Sequence, residues 1–170
     1  MTNTITVDQL INQIEQWSIE RDLHIANPIK QYDKLIEEHG ELVKGLNKQD
    51  EQVIKDSIGD MFVVLTIMMQ QIKGNMELAV KLSSFGEGKP STINYISTLS
   101  NLGKKLQEFV TDESSHSETQ AMISNIIYLL NLTAKENDTD LITCVQLAYD
   151  EIKDRKGKMI DGKFVKETDL

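Results

Sequence analysis

The feature that most constrains this chain is residues 61–69, MFVVLTIMM, which are apolar nearly all round if they form a helix. They belong to a longer segment, from Asp50 to Ile72, whose apolar residues recur at helical spacing. Asp50 is a residue type that caps helix N-termini, so we expect the helix to begin there. A helix that is apolar on most sides must be buried on several of them. The chain therefore has to place other elements around this segment.

Helical spacing of apolar residues also marks most of the remaining sequence. The 170 residues include only two prolines, Pro28 and Pro90, which leaves long stretches free to be helical. Thr6 or Asp8 is expected to cap the first helix. The predicted helices cover about 6–23, 29–46, 50–72, 75–84, 92–110, 118–135 and 139–155.

Two non-helical segments interrupt or follow this pattern. Residues 85–91, FGEGKPS, contain two glycines and a proline and are predicted to be a linker. We nevertheless predict a single domain over residues 1–170, because neither the half before this linker nor the half after it can cover its own apolar surface. Residues 158–165, KMIDGKFV, alternate around an Asp-Gly pair, which is typical of a hairpin with a type I′ turn. The predicted fold is an all-α helical bundle with a small C-terminal β-hairpin.

Charge and cysteine content exclude some classes of protein. A formal net charge of −9 argues against non-specific nucleic-acid binding, which depends on neutralising phosphates. With Cys144 as its one cysteine, the chain has no internal disulfide framework. The N-terminal residues lack the basic and apolar regions of a signal peptide, and the apolar run 61–69 is too short to span a bilayer. We therefore expect a cytoplasmic protein that binds neither nucleic acid nor membranes.

Four carboxylates fall on two consecutive predicted helices. Glu38 and Glu41 are three residues apart and share one helix face, while Asp56 and Asp60 are four apart and share another. A short connection makes the two helices antiparallel, so the four acids can converge. Such a cluster repels itself unless a cation joins it, and Mg²⁺ takes oxygen ligands while keeping waters for phosphates. The spacing therefore indicates a magnesium site, with Glu37 pointing elsewhere.

The first cluster alone also has a simpler origin, because glutamates are common on solvated helix faces where lysines pair with them. Two glycines weigh against that interpretation. Gly40 and Gly59 lie beside the acids, although a glycine inside a helix costs about 1 kcal/mol relative to alanine. Glycine at such positions is typical of a close approach by a backbone or a ligand.

With both clusters in view, EEHGEL (37–42) and DSIGDMFVVL (56–65), the sequence resembles the MazG-like branch of the all-α nucleoside triphosphate pyrophosphohydrolases. The signature of that family is Glu-x-x-Glu, a short spacer and Glu-x-x-Asp. The segments WSIERDL, KQYDKLIEEHGEL and AYDEIKDRKGKMIDGKFVKE also resemble phage-type and bacterial MazG-like proteins. One position departs from the signature, because Ser57 stands where its third glutamate is expected. Asp56 is the nearest acid on a compatible face.

The resemblance implies an enzyme that uses Mg²⁺, or Mn²⁺ in its place. It would cleave a nucleoside triphosphate between the α and β phosphates and release a nucleoside monophosphate and pyrophosphate. The implied metal ligands are Glu38, Glu41, Asp56 and Asp60. Either Glu38 or Glu41 would also take the proton of the attacking water. Family members of this kind are oligomers, and helices two and three look too apolar for one chain to cover, so a homodimer or homotetramer is expected.

Positive side chains should hold the phosphates of such a substrate. The candidates are Lys34, Arg155, Lys156 and Lys158. The basic run 153–158 could equally complement the C-terminus of a helix. Trp17 could stack on a base or belong to the core, and His39 faces away from the acids and is expected to be exposed.

A second class of function stays open. An all-helical module could keep this fold, lack catalysis, and bind nucleotides or a protein partner. Ser57 supports this alternative, because the site lacks the acid that the family signature has at this position. Asp56 could replace that acid, or the site could work with three carboxylates, or activity could be lost.

Overall fold

The computed structural model describes residues 5–84, 87–112, 114–161 and 163–169, with the backbone alone at 163, 166 and 169. That part of the chain contains seven α-helices: α1 (Val7–Ile19), α2 (Pro28–Lys48), α3 (Glu51–Gln71), α4 (Met76–Ser83), α5 (Thr92–Asp112), α6 (His116–Glu136) and α7 (Leu141–Ile152). Short 3-10 helices lie at Leu23–Ile25 and Glu167–Asp169, and two strands, β1 (Gly157–Ile160) and β2 (Lys163–Lys166), follow α7. The predicted fold class, all-α with a C-terminal hairpin, is confirmed.

Polar side chains fix the starts of the first three helices. Of the two caps predicted for α1, Thr6 is the one used: its hydroxyl accepts from the backbone N–H of Gln9 at 3.2 Å in a capping box. Asn27 caps α2, and Pro28 follows at the first helical position, where proline is favoured. The carboxylate of Asp50 caps α3, as predicted.

Residues 61–69 lie at the centre of the fold, and every one of them is buried. Helix α3 contacts α1, α2, α6 and α7, so helices from both sides of the predicted linker cover it. The expectation that one chain cannot cover this apolar surface is therefore wrong. Residues 87–91 of that linker have no regular structure, and 85 and 86 lie outside the described residues.

Helix α5 covers the side of α2 that carries His39. The Tyr32 hydroxyl donates to the carbonyl of Leu99 at 2.8 Å, and the His39 ring lies 5.2 Å from that of Tyr95. His39 is consequently buried, and the prediction that it is exposed is wrong. The burial lowers the pKa of His39.

The last helix, α7, ends earlier than the sequence predicts. Helix α7 ends at Ile152 rather than 155, and β1 pairs with β2 in antiparallel register, with Gly157 opposite Lys166 and Ile160 opposite Lys163. Asp161 has φ of 49°, which suits the tight turn, while Gly162 lies outside the described residues. The basic run 153–158 therefore extends from the end of α7 into β1 instead of forming a last helical turn.

Among the described helices, none combines the length and the apolar character that a membrane crossing requires.

Gly59 lets α3 and α7 approach each other closely. A Cβ at this position would lie 2.8 Å from the Cβ of Ala148 and would overlap the carbonyl oxygen of Cys144. The expectation that a backbone comes close to this glycine is met. Gly40 differs, because a Cβ there would meet nothing within 4 Å. Among the described residues, therefore, no backbone or side chain packs closely against Gly40.

These two glycines give a matched pair of variants. We expect Gly59→Ala to lower the free energy of unfolding by about 1–3 kcal/mol, because the added methyl group forces α7 away from α3. Gly40→Ala should be neutral or stabilising by up to about 1 kcal/mol, because alanine favours the helix and has free space. Urea unfolding of both variants measures the difference. Equal effects in the two variants would contradict the close packing at Gly59.

Candidate functional site

A cavity of about 640 Å³ opens between α2, α3, the end of α7 and the hairpin. It is lined by Trp17, Leu23, Lys30, Gln31, Asp33, Lys34, Glu37, Glu38, Glu41, Asp60, Val63, Val64, Ile67, Glu151, Ile152, Arg155, Phe164 and Val165. Its volume falls within the range of about 300–1,000 Å³ that is usual for small-molecule sites. One part of its wall is charged and another is apolar.

The charged part begins with an ion pair on α2. Glu38 is buried, with 7 % of its side chain exposed, and its Oε1 lies 2.6 Å from Nζ of Lys34, one turn earlier. Lys34 also lies 3.1 Å from Oε1 of Glu37. Glu37 lines the cavity as well, so the prediction that it points elsewhere is wrong. Glu41 lies at the exposed rim.

Asp60 faces this pair from α3. Its pKa is raised from 3.8 to about 7, first because the carboxyl group is largely buried and then because Glu38 and Glu151 carry negative charge nearby. The positive charges of Arg155 and Lys34 oppose the shift without cancelling it. Negative charge from three helices therefore accumulates at this end of the cavity.

The third contribution to the charged wall comes from α7 and the turn after it. Glu151 forms an ion pair with Arg155, four residues later and just beyond the end of α7. The carbonyl of Arg155 accepts from Nη2 of Arg21 at 2.9 Å, and the Arg21 guanidinium lies 4.5 Å from the centre of the Trp17 ring. Arg21 thus fixes the backbone from which Arg155 reaches the cavity.

Trp17 belongs both to the core and to the cavity wall. Its Nε1–H donates to the carbonyl of Ile152 at 2.9 Å, and its ring meets that of Phe164 edge-on at 5.8 Å. These contacts attach α1 to the end of α7 and to the hairpin. The two rings form the apolar wall together with Leu23, Val63, Val64, Ile67 and Val165.

Three predicted site residues do not line the cavity. Asp56 accepts a hydrogen bond from Nε2 of Gln52 at 2.8 Å and is placed one turn away. Lys156 and Lys158 are exposed, and the carbonyl of Lys156 accepts from the backbone N–H of Glu167. Ser57, which departs from the family signature, is buried and does not line the cavity.

Sequence reasoning overlooked Glu151. A signal for it was present, because Ala148 and Glu151 are three residues apart on α7 and Ala148 lies on the face that packs on α3. Detecting it required knowing which helices cross, and α7 is far from α3 along the chain. Lys30, Gln31 and Asp33 of the lining were also overlooked.

The described side chains do not form a ready-made metal site. No three His, Cys, Asp or Glu residues among them are grouped around one point as a metal would require. Glu38 and Glu151 are instead paired with Lys34 and Arg155. Cation binding at this end of the cavity would therefore have to displace these two positive side chains from their partners.

Comparison with known proteins gives a relative for part of the sequence. An uncharacterized 18.2 kDa protein in the rep-hol intergenic region of Haemophilus phage HP1 (strain HP1c1) is 52 % identical to this chain over 66 residues. The match covers 38 % of this chain and 40 % of the length of the phage protein. No family model matches the sequence, and no solved structure matches it. The resemblance to MazG-like proteins therefore rests on the segments quoted above.

The raised pKa of Asp60 predicts how stability depends on pH without metal. Because the pKa of Asp60 is higher in the folded state, its contribution to stability is greatest below about pH 4 and is lost as the pH rises towards 7. Asp60→Asn should remove this loss, so we expect the variant to melt at a higher temperature than the parent at pH 8 and at a similar temperature at pH 4.

Thermal melts of both proteins in a chelator, between pH 4 and pH 8, measure this difference. The readout is the difference between the two curves, because effects of pH that are common to both proteins cancel in it. Parallel curves would show that the Asp60 carboxyl has an ordinary pKa.

Proposed function

We propose that this chain is a Mg²⁺-dependent nucleoside triphosphate pyrophosphohydrolase that cleaves between the α and β phosphates. The observation that carries the proposal is one cavity whose lining combines three acids, Glu38, Glu41 and Asp60, with the cations Lys34 and Arg155 and with an apolar wall. A nucleoside triphosphate has the matching parts: an anionic chain that needs cations, and a planar base that suits an apolar surface. The resemblance to MazG-like proteins points to the same substrate class.

The donor set of the cavity fits Mg²⁺. Glu38, Glu41 and Asp60 offer only carboxylate oxygens, which are the ligands that this ion prefers, although the described side chains are not grouped around one point. The pKa of Asp60 is raised first by burial and then by the negative charge of Glu38 and Glu151, and a dication would relieve this second contribution. When bound, Mg²⁺ or Mn²⁺ neutralises phosphate charge and lowers the pKa of a water molecule. Asp56 stays a predicted ligand, although it lies outside the cavity lining.

The side chains of the cavity would share the remaining work. Lys34 and Arg155 are held by Glu38 and Glu151, and each could turn from its carboxylate to a phosphate oxygen without a change of backbone. Glu41 lies at the exposed rim, and within the part of the chain described it has no ion-pair partner. It is therefore free to accept the proton of the attacking water. Trp17 and Phe164 would contact the base.

An inert nucleotide- or protein-binding module is the second candidate. Two observations favour it: Ser57 is buried where the family signature has an acid, and Asp56 lies outside the cavity. Such a protein would keep the cavity and bind nucleotides without cleaving them.

Product analysis separates these functions. We expect the protein, incubated with Mg²⁺ and a panel of NTPs and dNTPs, to release monophosphate and pyrophosphate. Asp60→Asn and Glu41→Gln should each lower turnover by about a hundredfold or more, because each removes charge aimed at the reacting groups. Glu51→Gln is the control: it removes an acid from the first turn of α3 whose side chain is 83 % exposed.

The control variant should turn over at the parental rate. Release of diphosphate and orthophosphate would contradict the proposed cleavage site. Nucleotide binding without any product would favour the inert module.

We also propose a homo-oligomer, a dimer or a tetramer. The buried surface of α3 does not support it, but apolar side chains remain exposed elsewhere: Leu82 at 59 %, Ile93 at 78 % and Ile96 at 56 %. Their burial between subunits would remove apolar surface from water. Light scattering at micromolar concentration should give at least twice the mass of one chain, and the mass of a monomer would refute the proposal.

A further inference from the structure

Helix α3 contributes a single acid to the cavity. Asp60 lines it, whereas Asp56 lies one turn earlier, bonded to Gln52, and Ser57 is buried in the protein. Helix α2 contributes Glu38 and Glu41 to the same end. The pair of acids that the sequence predicts on α3 is therefore not brought to the site.

Helix α7 supplies an acid to that end instead. Its close contact with α3 at Gly59 places Ala148 against α3, and Glu151 lies three residues further along the same face. Asp60 is the residue that follows Gly59, and both Asp60 and Glu151 line the cavity, with the Glu151 side chain 64 % exposed and open to a ligand. Glu151 is one of the two acids whose negative charge acts on Asp60, and Glu38 is the other.

We propose that Glu151 is a ligand of the divalent cation and that it, rather than Asp56, completes the set formed by Glu38, Glu41 and Asp60. This inference rests on the proposed function, because it concerns the same cavity and the same cation. It makes the site a product of three helices instead of two. It also accounts for how a chain with serine at position 57 could retain four carboxylates around the phosphates.

The ion pairs on α2 and α7 have the same form. Lys34 precedes Glu38 by one helical turn, and Arg155 follows Glu151 by four residues, just beyond the end of α7, so each glutamate has its own cation. The backbone carbonyl of Arg155 is bonded to Arg21, which leaves only the Arg155 side chain to move. When a cation binds Glu151, the freed guanidinium would lie beside the substrate phosphates, which it can bind through two N–H groups.

The test is a titration with Mn²⁺, followed by electron paramagnetic resonance, on the full chain without nucleotide. Glu151→Gln should weaken Mn²⁺ binding by about tenfold or more. Asp150→Asn is the matched control, because Asp150 is the adjacent acid and is paired with Lys153 away from the cavity. It should bind Mn²⁺ within about twofold of the parent, since distant surface charge is screened by salt.

Two further variants separate the loss of a ligand from a change in local charge. Glu151→Gln leaves Arg155 unpaired, and its free charge could itself repel Mn²⁺. The double variant Glu151→Gln, Arg155→Gln restores the net charge, so its affinity should stay low if Glu151 is a ligand and should recover if only charge balance matters. Asp56→Asn compares the two candidate acids and should weaken Mn²⁺ binding less than Glu151→Gln does.

The outcomes distinguish this inference from the proposed function. Parental Mn²⁺ affinity in Glu151→Gln, or recovery in the double variant, would overturn the role of Glu151 even if the protein hydrolyses nucleotides. A specific loss in Glu151→Gln would support that role even if no nucleotide is cleaved, in which case the hydrolase proposal alone fails. Absence of Mn²⁺ binding by the parent protein would overturn the inference. Thermal melts in chelator check that each variant is folded.

Discussion

The close contact between α3 and α7 at Gly59 joins the buried core of the molecule to its candidate site. Without a side chain at this position, the backbone of α7 can lie against the most buried helix of the fold. That contact sets the position of the last turn of α7, and hence of Glu151, relative to the acids of α2 and α3. It also directs the chain beyond Ile152 towards Trp17, where the hairpin forms one wall of the cavity. Core packing and site geometry are thus linked through one glycine.

The charged end of the cavity is partly balanced by ion pairs between residues four apart in the sequence. The Lys34–Glu38 pair lies within α2, so helix geometry alone brings its partners together. The Glu151–Arg155 pair joins α7 to the segment just beyond it, whose backbone Arg21 holds through the carbonyl of Arg155. Asp60 has no such partner within its own helix, and burial and neighbouring negative charge raise its pKa to about 7. An anionic substrate with its cation would replace these two ion pairs by a larger network. This exchange would keep the buried charge of Glu38 compensated in both states.

Local features of the sequence predicted the helices and the hairpin well. The features that the sequence did not predict, such as the burial of His39 and the place of Glu151, depend on contacts between distant parts of the chain. Asp50 as a cap and the central position of residues 61–69 follow from neighbouring residues alone. The burial of His39 depends on α5, whose Tyr95 covers it from a distant part of the chain. The place of Glu151 likewise depends on how α7 crosses α3. Of the predicted site, Glu38, Glu41 and Asp60 share the cavity because a short turn joins their helices.

The hydrogen bond from the Trp17 indole to the carbonyl of Ile152 joins residues 135 positions apart. During synthesis, the acids on α2 and α3 leave the ribosome long before the segment that carries Glu151, Arg155 and Phe164. The cavity therefore has only part of its wall until translation has passed the hairpin, because contacts this distant in sequence close late. A nascent chain would already contain three of the acids of the site. Neither its second ion pair nor its aromatic edge would yet exist.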